Sequence, residues 1–145
     1  MNKALFDQFD SSYTTNDLKN IVLFFYPKDN TPGCTKEMVA FNEHKDAFEK
    51  LGFKVIGISK DSMSSHKSVT DKFSLSISLI SDENKEWISF FDVYKEKKNY
   101  GKTYMGVVRT TLLFDEKGDT VKRWNNVKVE GHVETVLEFI KERVS

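Results

Sequence analysis

The sequence predicts a three-layer α/β fold, with a mixed central sheet and flanking helices, on three observations. Ile21-Val22-Leu23-Phe24-Phe25-Tyr26 is an unbroken apolar and aromatic run, the pattern of a central strand buried on both faces. A helical segment separates it from a second buried strand at residues 53–59. Strand, helix, strand implies a right-handed crossover between parallel strands. Late in the chain, residues 107–114 and 120–124 flank the turn Asp115-Glu116-Lys117-Gly118, which predicts an antiparallel hairpin.

The remaining elements follow from spacing and punctuation. Pro27 stops the first strand, and residues 28–33 read as a loop. One helix is predicted over residues 33–51, with Met38, Phe41, Phe48 and Leu51 at helical spacing and Gly52 at its end. Asp61 or Ser62 caps a second helix carrying His66, Val69 and Phe73 on one face. Leu79 and Ile80 suggest a short strand, residues 84–91 a short helix, and residues 94–105 a polar loop. The final helix carries the stripe Val133, Val136, Leu137, Ile140 and Val144. A thioredoxin-like fold fits this order, although periodicity does not separate it from other mixed α/β folds. No repeat or linker divides the chain, so residues 1–145 read as one domain.

Composition narrows the function. Hydrophobic residues make up 39% and charged residues 30%, which suits a folded chain rather than a disordered one. Basic and acidic residues both number 22, so charge gives no reason to expect nucleic acid or an anionic membrane as partner. No apolar run approaches the roughly 20 residues of a membrane span, and no secretion signal opens the chain, so the cytoplasm is the expected compartment. With a single cysteine, neither an intramolecular disulfide nor a metal site of several thiolates is available. His44, His66 and His132 have no metal-ligand spacing and read as surface or packing residues.

Cys34 is the candidate nucleophile. Both prolines, Pro27 and Pro32, precede it closely, and it falls in the first turn of a helix that follows a strand. Unpaired amides and the positive end of the helix dipole favour a thiolate there. Active sites also gather at the carboxyl ends of strands in open sheets. The bland alternative is a core cysteine at a tight turn.

Magnitudes show that acidity alone does not make a fast thiol peroxidase. Lowering a thiol's pKa from about 8.5 to about 6 raises its thiolate fraction roughly thirty-fold. The accompanying loss of nucleophilicity removes about tenfold, leaving only about threefold. The rest must come from donors aimed at the breaking O–O bond. Thr31, the amides of Gly33 and Cys34, and an arginine from elsewhere are the candidate donors, with Pro32 stiffening the loop.

The segment from Tyr26 to Glu37, Tyr-Pro-Lys-Asp-Asn-Thr-Pro-Gly-Cys-Thr-Lys-Glu, closely resembles the active-site segment of peroxiredoxins, of the bacterioferritin-comigratory or Q-type subgroup. The family's Pro-x-x-x-Thr-x-x-Cys pattern falls on Pro27, Thr31 and Cys34. A second patch, Tyr100-Gly101-Lys102 with residues 106–115, resembles the family's later strand and places its active-site arginine at Arg109. Arg123 matches no such position. The similarity runs from about Leu18 to the C-terminus.

The resemblance implies a thioredoxin-like fold and a thiol-dependent reduction of hydrogen peroxide and organic hydroperoxides, without metal, haem or flavin. It implies that Cys34 attacks the peroxide and becomes a sulfenic acid. Thr31 and Gly33 then help bind the peroxide, Arg109 stabilises developing charge, and Pro27 shields the sulfur. Many relatives carry a resolving cysteine five residues on, where this chain has Val39. An external thiol reductant is therefore implied, with thioredoxin, glutaredoxin and glutathione as candidates. Easier overoxidation of Cys34 follows from the same lack. A monomer or weak dimer is expected. The family's Gly-x-x-Ala-Pro-x-Phe opening is shortened here, which puts the first hairpin in question and predicts a more exposed core edge.

Simpler roles stand beside these. Thr31 is also a good helix N-cap, and Pro27 also ends a strand. Glu37, one helical turn beyond Cys34, either tunes local hydrogen bonds or is a solvated carboxylate. Two other functions use the same thiol: a cysteine hydrolase, which needs a histidine beside the sulfur, and a redox sensor.

Overall fold

The computed structural model describes residues 3–144. A seven-stranded mixed sheet forms its centre. The strands are β1 (Leu5–Asp7), β2 (Ser12–Tyr13), β3 (Ile21–Phe25), β4 (Lys54–Ser59), β5 (Ser78–Ser81), β8 (Thr110–Phe114) and β9 (Thr120–Trp124). Their spatial order is β2-β1-β5-β4-β3-β8-β9, with β3, β4 and β5 mutually parallel and the flanking pairs antiparallel. Strands β6 (Tyr94–Asn99) and β7 (Lys102–Val107) form a separate two-stranded ribbon. The helices are α1 (Pro32–Glu43), α2 (Lys45–Lys50), α3 (Met63–Phe73), α4 (Glu86–Phe90) and α5 (His132–Val144).

Strand β3 shows why the sheet is central. All five of its residues are buried, and alternate side chains join opposite cores. Val22, Phe24 and Tyr26 pack with Met38 and Phe41 of α1, Phe48 of α2, Val69 of α3 and the stripe of α5. Leu23 and Phe25 pack on the other side with Trp87 and Ile88 of α4. Helices on both faces of a largely parallel centre explain the absence of polar alternation in β3. This is the mixed sheet with flanking helices expected of a thioredoxin-like fold.

Five local expectations need correction. The segment predicted as one helix over residues 33–51 is two helices broken at His44, whose ring Nδ1 donates to the Ala40 carbonyl at 2.9 Å. The apolar spacing continues through the break, so periodicity does not reveal it. Residues 94–105 are no loop but most of the β6–β7 hairpin, closed by Tyr100 and Gly101 at positive φ, as a type I′ turn requires. The run 107–114 is interrupted at Val108 and Arg109, between β7 and β8. Val144 is exposed rather than part of the α5 stripe. The first hairpin, questioned from the short N-terminus, is present: Leu5 pairs with Tyr13, both are buried, and β1 also pairs with β5.

Gly57 of β4 lets neighbouring side chains close over the sheet. A Cβ there would lie 2.6 Å from Phe24 Cζ and 2.9 Å from Leu79 Cδ2. Phe24 in turn stacks on Phe41 of α1, with centroids 4.5 Å apart. Gly57→Ala is therefore expected to destabilise the fold by about 1–3 kcal/mol through overpacking, read as a lower urea midpoint.

Candidate active site

Three pieces of chain meet at Cys34. The loop after β3 brings Pro27 and Thr31, the first turn of α1 brings Gly33 and Cys34, and the interruption between β7 and β8 brings Arg109. Cys34 is only 1% exposed. Gly33 and Arg109 are partly exposed beside it, and Pro27 and Thr31 are partly exposed in the loop that leads to it.

Thr31 is the N-cap of α1 by position, but its side chain makes no cap bond. Its hydroxyl donates to the Lys28 carbonyl at 2.9 Å, while its own carbonyl accepts from the Thr35 amide at 2.8 Å. The hydroxyl proton is thus directed into the loop, and its lone pairs are left as acceptors. The amides of Gly33 and Cys34 precede that first intrahelical bond. They therefore belong to the helix end that offers donors to an external group.

Arg109 is the junction of the site. Its Nη2 donates to Cys34 Sγ at 3.4 Å, and its Nη1 donates to Glu37 Oε1 at 2.8 Å. Gly33 permits this approach, since a Cβ there would come within 3.3 Å of Arg109 Nη2. Burial works against the arginine's charge, but Glu37 and Cys34 outweigh it and hold the guanidinium protonated. Glu37 resolves its two expected roles: it is buried and ion-paired, not a solvated helix-face carboxylate. Burial pushes its pKa up to about 7 despite the opposing pull of Arg109. Among the described residues its Oε2 has no hydrogen-bond partner, which adds to the cost of keeping that charge buried.

The histidines are engaged elsewhere. His132 Nε2 bonds Thr111 Oγ1 at 2.8 Å, and burial followed by repulsion from Arg109 lowers its pKa to about 4. His44 bonds Ala40, and His66 bonds Asp29 and Ile80. None has a hydrogen bond to the sulfur, so the arrangement lacks the base that a cysteine hydrolase needs. Arg123 binds the Phe91 and Asp92 carbonyls, away from the sulfur. Among the described residues no cluster could hold a metal ion, and no helix is long and apolar enough to cross a membrane.

Comparison with known proteins agrees with this geometry. The AhpC/TSA family model matches residues 2–123. The chain belongs to the AhpC/TSA family and is a peroxiredoxin. Peroxiredoxin Bcp of Bacillus subtilis is 44% identical over 124 residues, spanning 86% of this chain and 79% of that protein. The solved structure of Xanthomonas campestris bacterioferritin comigratory protein superposes with a TM-score of 0.92 at 36% identity, covering 99% of this chain and 92% of that one. A mutant of Xylella fastidiosa PrxQ gives a TM-score of 0.93 at 38% identity, covering 99% and 91%. As a peroxiredoxin with these relatives, the protein is a thiol peroxidase.

Sequence reasoning missed two features of this peroxiredoxin. The burial of Glu37 has no local signal, because it stands among the charged residues of α1. The contacts of Asp29 with His66 join positions 37 residues apart, beyond any spacing rule.

Glu37 yields a signed prediction. A carboxyl raised from 4.5 to about 7 holds more protons folded than unfolded between those values, so its contribution to stability falls as pH rises through that window. Glu37→Gln removes this titration. Urea unfolding near pH 5 and near pH 8 is expected to show the variant gaining about 2–3 kcal/mol on the parent between the two, from about 1.4 kcal/mol per pKa unit.

Proposed function

We propose that Cys34 is the peroxide-attacking thiolate, that Arg109, Thr31 and Gly33 bind the peroxide, and that Pro27 shields the sulfur. The observation that carries this is the guanidinium of Arg109, placed 3.4 Å from Sγ and held on its other side by buried Glu37.

The thiolate sulfur attacks one peroxide oxygen. The S–O bond forms as the O–O bond breaks, and the departing oxygen leaves with the electron pair. It takes a proton to become water or an alcohol, and Cys34 becomes a sulfenic acid. Arg109 carries a fixed positive charge where negative charge begins on sulfur and spreads to the departing oxygen. Donors already in place at such a point need no reorganisation during the reaction. The Thr31 hydroxyl, with its proton on Lys28, accepts the peroxide O–H. The α1 amides at Gly33 and Cys34 donate to the bound oxygens.

The substrates on this reading are hydrogen peroxide and organic hydroperoxides. The alkyl peroxide reduction described for the Xanthomonas campestris protein supports the second class. Regeneration uses an external thiol, because the chain has one cysteine and Val39 stands where a resolving one would be. A thiol displaces water from the sulfenic acid to form a mixed disulfide, and a second thiol releases Cys34. Thioredoxin, glutaredoxin and glutathione are the candidate donors. The reading takes residues 1–145 as one cytoplasmic domain, a monomer or weak dimer, needing no cofactor.

With limiting hydrogen peroxide and a dimedone-type trap, mass spectrometry is expected to find one adduct, on Cys34. Cys34→Ser should abolish peroxide consumption. Arg109→Ala should lower the second-order rate constant by about 10²–10³, the usual cost of removing a transition-state donor. Peroxide consumption no faster than that of free cysteine would overturn the assignment.

A further inference from the structure

A buried polar cluster lies behind the active-site loop and is not used by the chemistry above. At its centre Asp29, in the loop between β3 and α1, faces His66 of α3. The side chains of His66 and Asp29 are 0% and 1% exposed. His66 Nδ1 lies 2.6 Å from Asp29 Oδ2, and His66 Nε2 lies 2.9 Å from the Ile80 carbonyl of β5. Asp29 also accepts from the Tyr26 hydroxyl at 2.6 Å and from Ser65 Oγ at 2.7 Å. Its amide donates to Asp61 Oδ2 at 2.8 Å, which also accepts from Ser59 Oγ at 2.6 Å.

Hydrogen-bond accounting fixes the protons. A backbone carbonyl only accepts, so His66 Nε2 must carry hydrogen. Burial opposes the charge of Asp29, but the hydrogen bonds from His66, Tyr26 and Ser65 outweigh it and lower its pKa. Tyr26 keeps its proton, since burial and the neighbouring Asp29 charge push its pKa well above the usual value. His66 Nδ1 faces Asp29 Oδ2 at 2.6 Å, so a proton lies between them. Both ring nitrogens are therefore engaged in hydrogen bonds.

We propose that His66 is a positioning residue for peroxide reduction, a buried ring that clamps Asp29 to β5 and so holds Pro27, Thr31 and the first turn of α1 around Cys34. Asp29 lies two residues from both Pro27 and Thr31. The loop is not in a strand or helix, and the next residue, Asn30, has left-handed φ of 60°. A second tie to α3, from Lys72 Nζ to Asn30 Oδ1 at 3.2 Å, is exposed and correspondingly weaker. The buried pair is the directional anchor. Removing the ring of His66 leaves Asp29 Oδ2 buried with one partner fewer, which costs more than losing an exposed hydrogen bond. The loop bearing that carboxylate is the segment free to relieve it, by moving Asp29 toward water.

The proposal rests on Cys34 as the peroxide thiol, but its structural half is testable without any turnover. Nitrogen-15 NMR of the wild-type protein near pH 7.5 is expected to show both His66 ring nitrogens in hydrogen bonds; a ring nitrogen with the shift of a free one would overturn the clamp. His66→Gln keeps an N–H donor but loses the ring that bridges Asp29 and Ile80. Hydrogen exchange is expected to accelerate at the amides of residues 28–31, relative to those of Val136 to Ile140 in α5. Its rate constant with hydrogen peroxide should fall by tenfold to about a hundredfold, the scale expected when reacting groups shift by about 1 Å. General loosening would raise exchange in the loop and α5 together, and would refute a local role, as would wild-type exchange and rate. If wild-type Cys34 does not react with peroxide, the assignment of the thiol fails, while the NMR and exchange results still decide the clamp.

Discussion

The site depends on one guanidinium with two obligations. Arg109 must reach both the sulfur of Cys34 and the carboxylate of Glu37, two groups one helical turn apart on α1. Much of the surrounding architecture serves that reach. Two residues separate β7 of the ribbon from β8 of the central sheet, so Arg109 stands outside either ladder and turns toward α1. Gly33 removes the one Cβ that would crowd Nη2. The Phe24–Phe41 stack above Gly57 fixes the height of α1 over the sheet.

The same pairing explains why Glu37 is buried at all. A long arginine side chain has many rotamers open to it. A buried carboxylate selects the one that also places Nη2 on sulfur, and the unsatisfied Oε2 is the energetic cost of that selection. Burial pushes the Glu37 pKa up to about 7 against the pull of Arg109. On the proposed mechanism the other face of the guanidinium serves the sulfur and the developing anion.

Much of this was legible in the sequence, for identifiable reasons. Residues 21–26 and 53–59 read as strands because a sheet covered on both faces leaves no polar alternation to confuse the pattern. Cys34, Thr31 and Pro27 stood out because prolines and a lone thiol crowd one junction, and Arg109 because its patch resembles a known one. Tertiary or local features hid the rest. The β6–β7 hairpin is lysine-rich and mostly exposed, with no sustained apolar alternation, so its Tyr100-Gly101 turn is the local feature that marks it. The break at His44 is a side-chain competition for one carbonyl within an intact apolar stripe. Asp29 and His66 carry no sign that they meet, since neither has an unusual neighbour in sequence.

The central claim is that Arg109 acts on the breaking O–O bond and not merely on the ionisation of the thiol. Its most direct test compares two electrophiles on one sulfur: hydrogen peroxide, which expels a charged oxygen, and an alkylating iodoacetamide, which has no O–O bond to break. The account predicts that Arg109→Ala lowers the peroxide rate at least tenfold more than the alkylation rate, measured on the same protein at the same pH. Equal losses in both would contradict it, because they would reduce the arginine to a counter-ion for the thiolate.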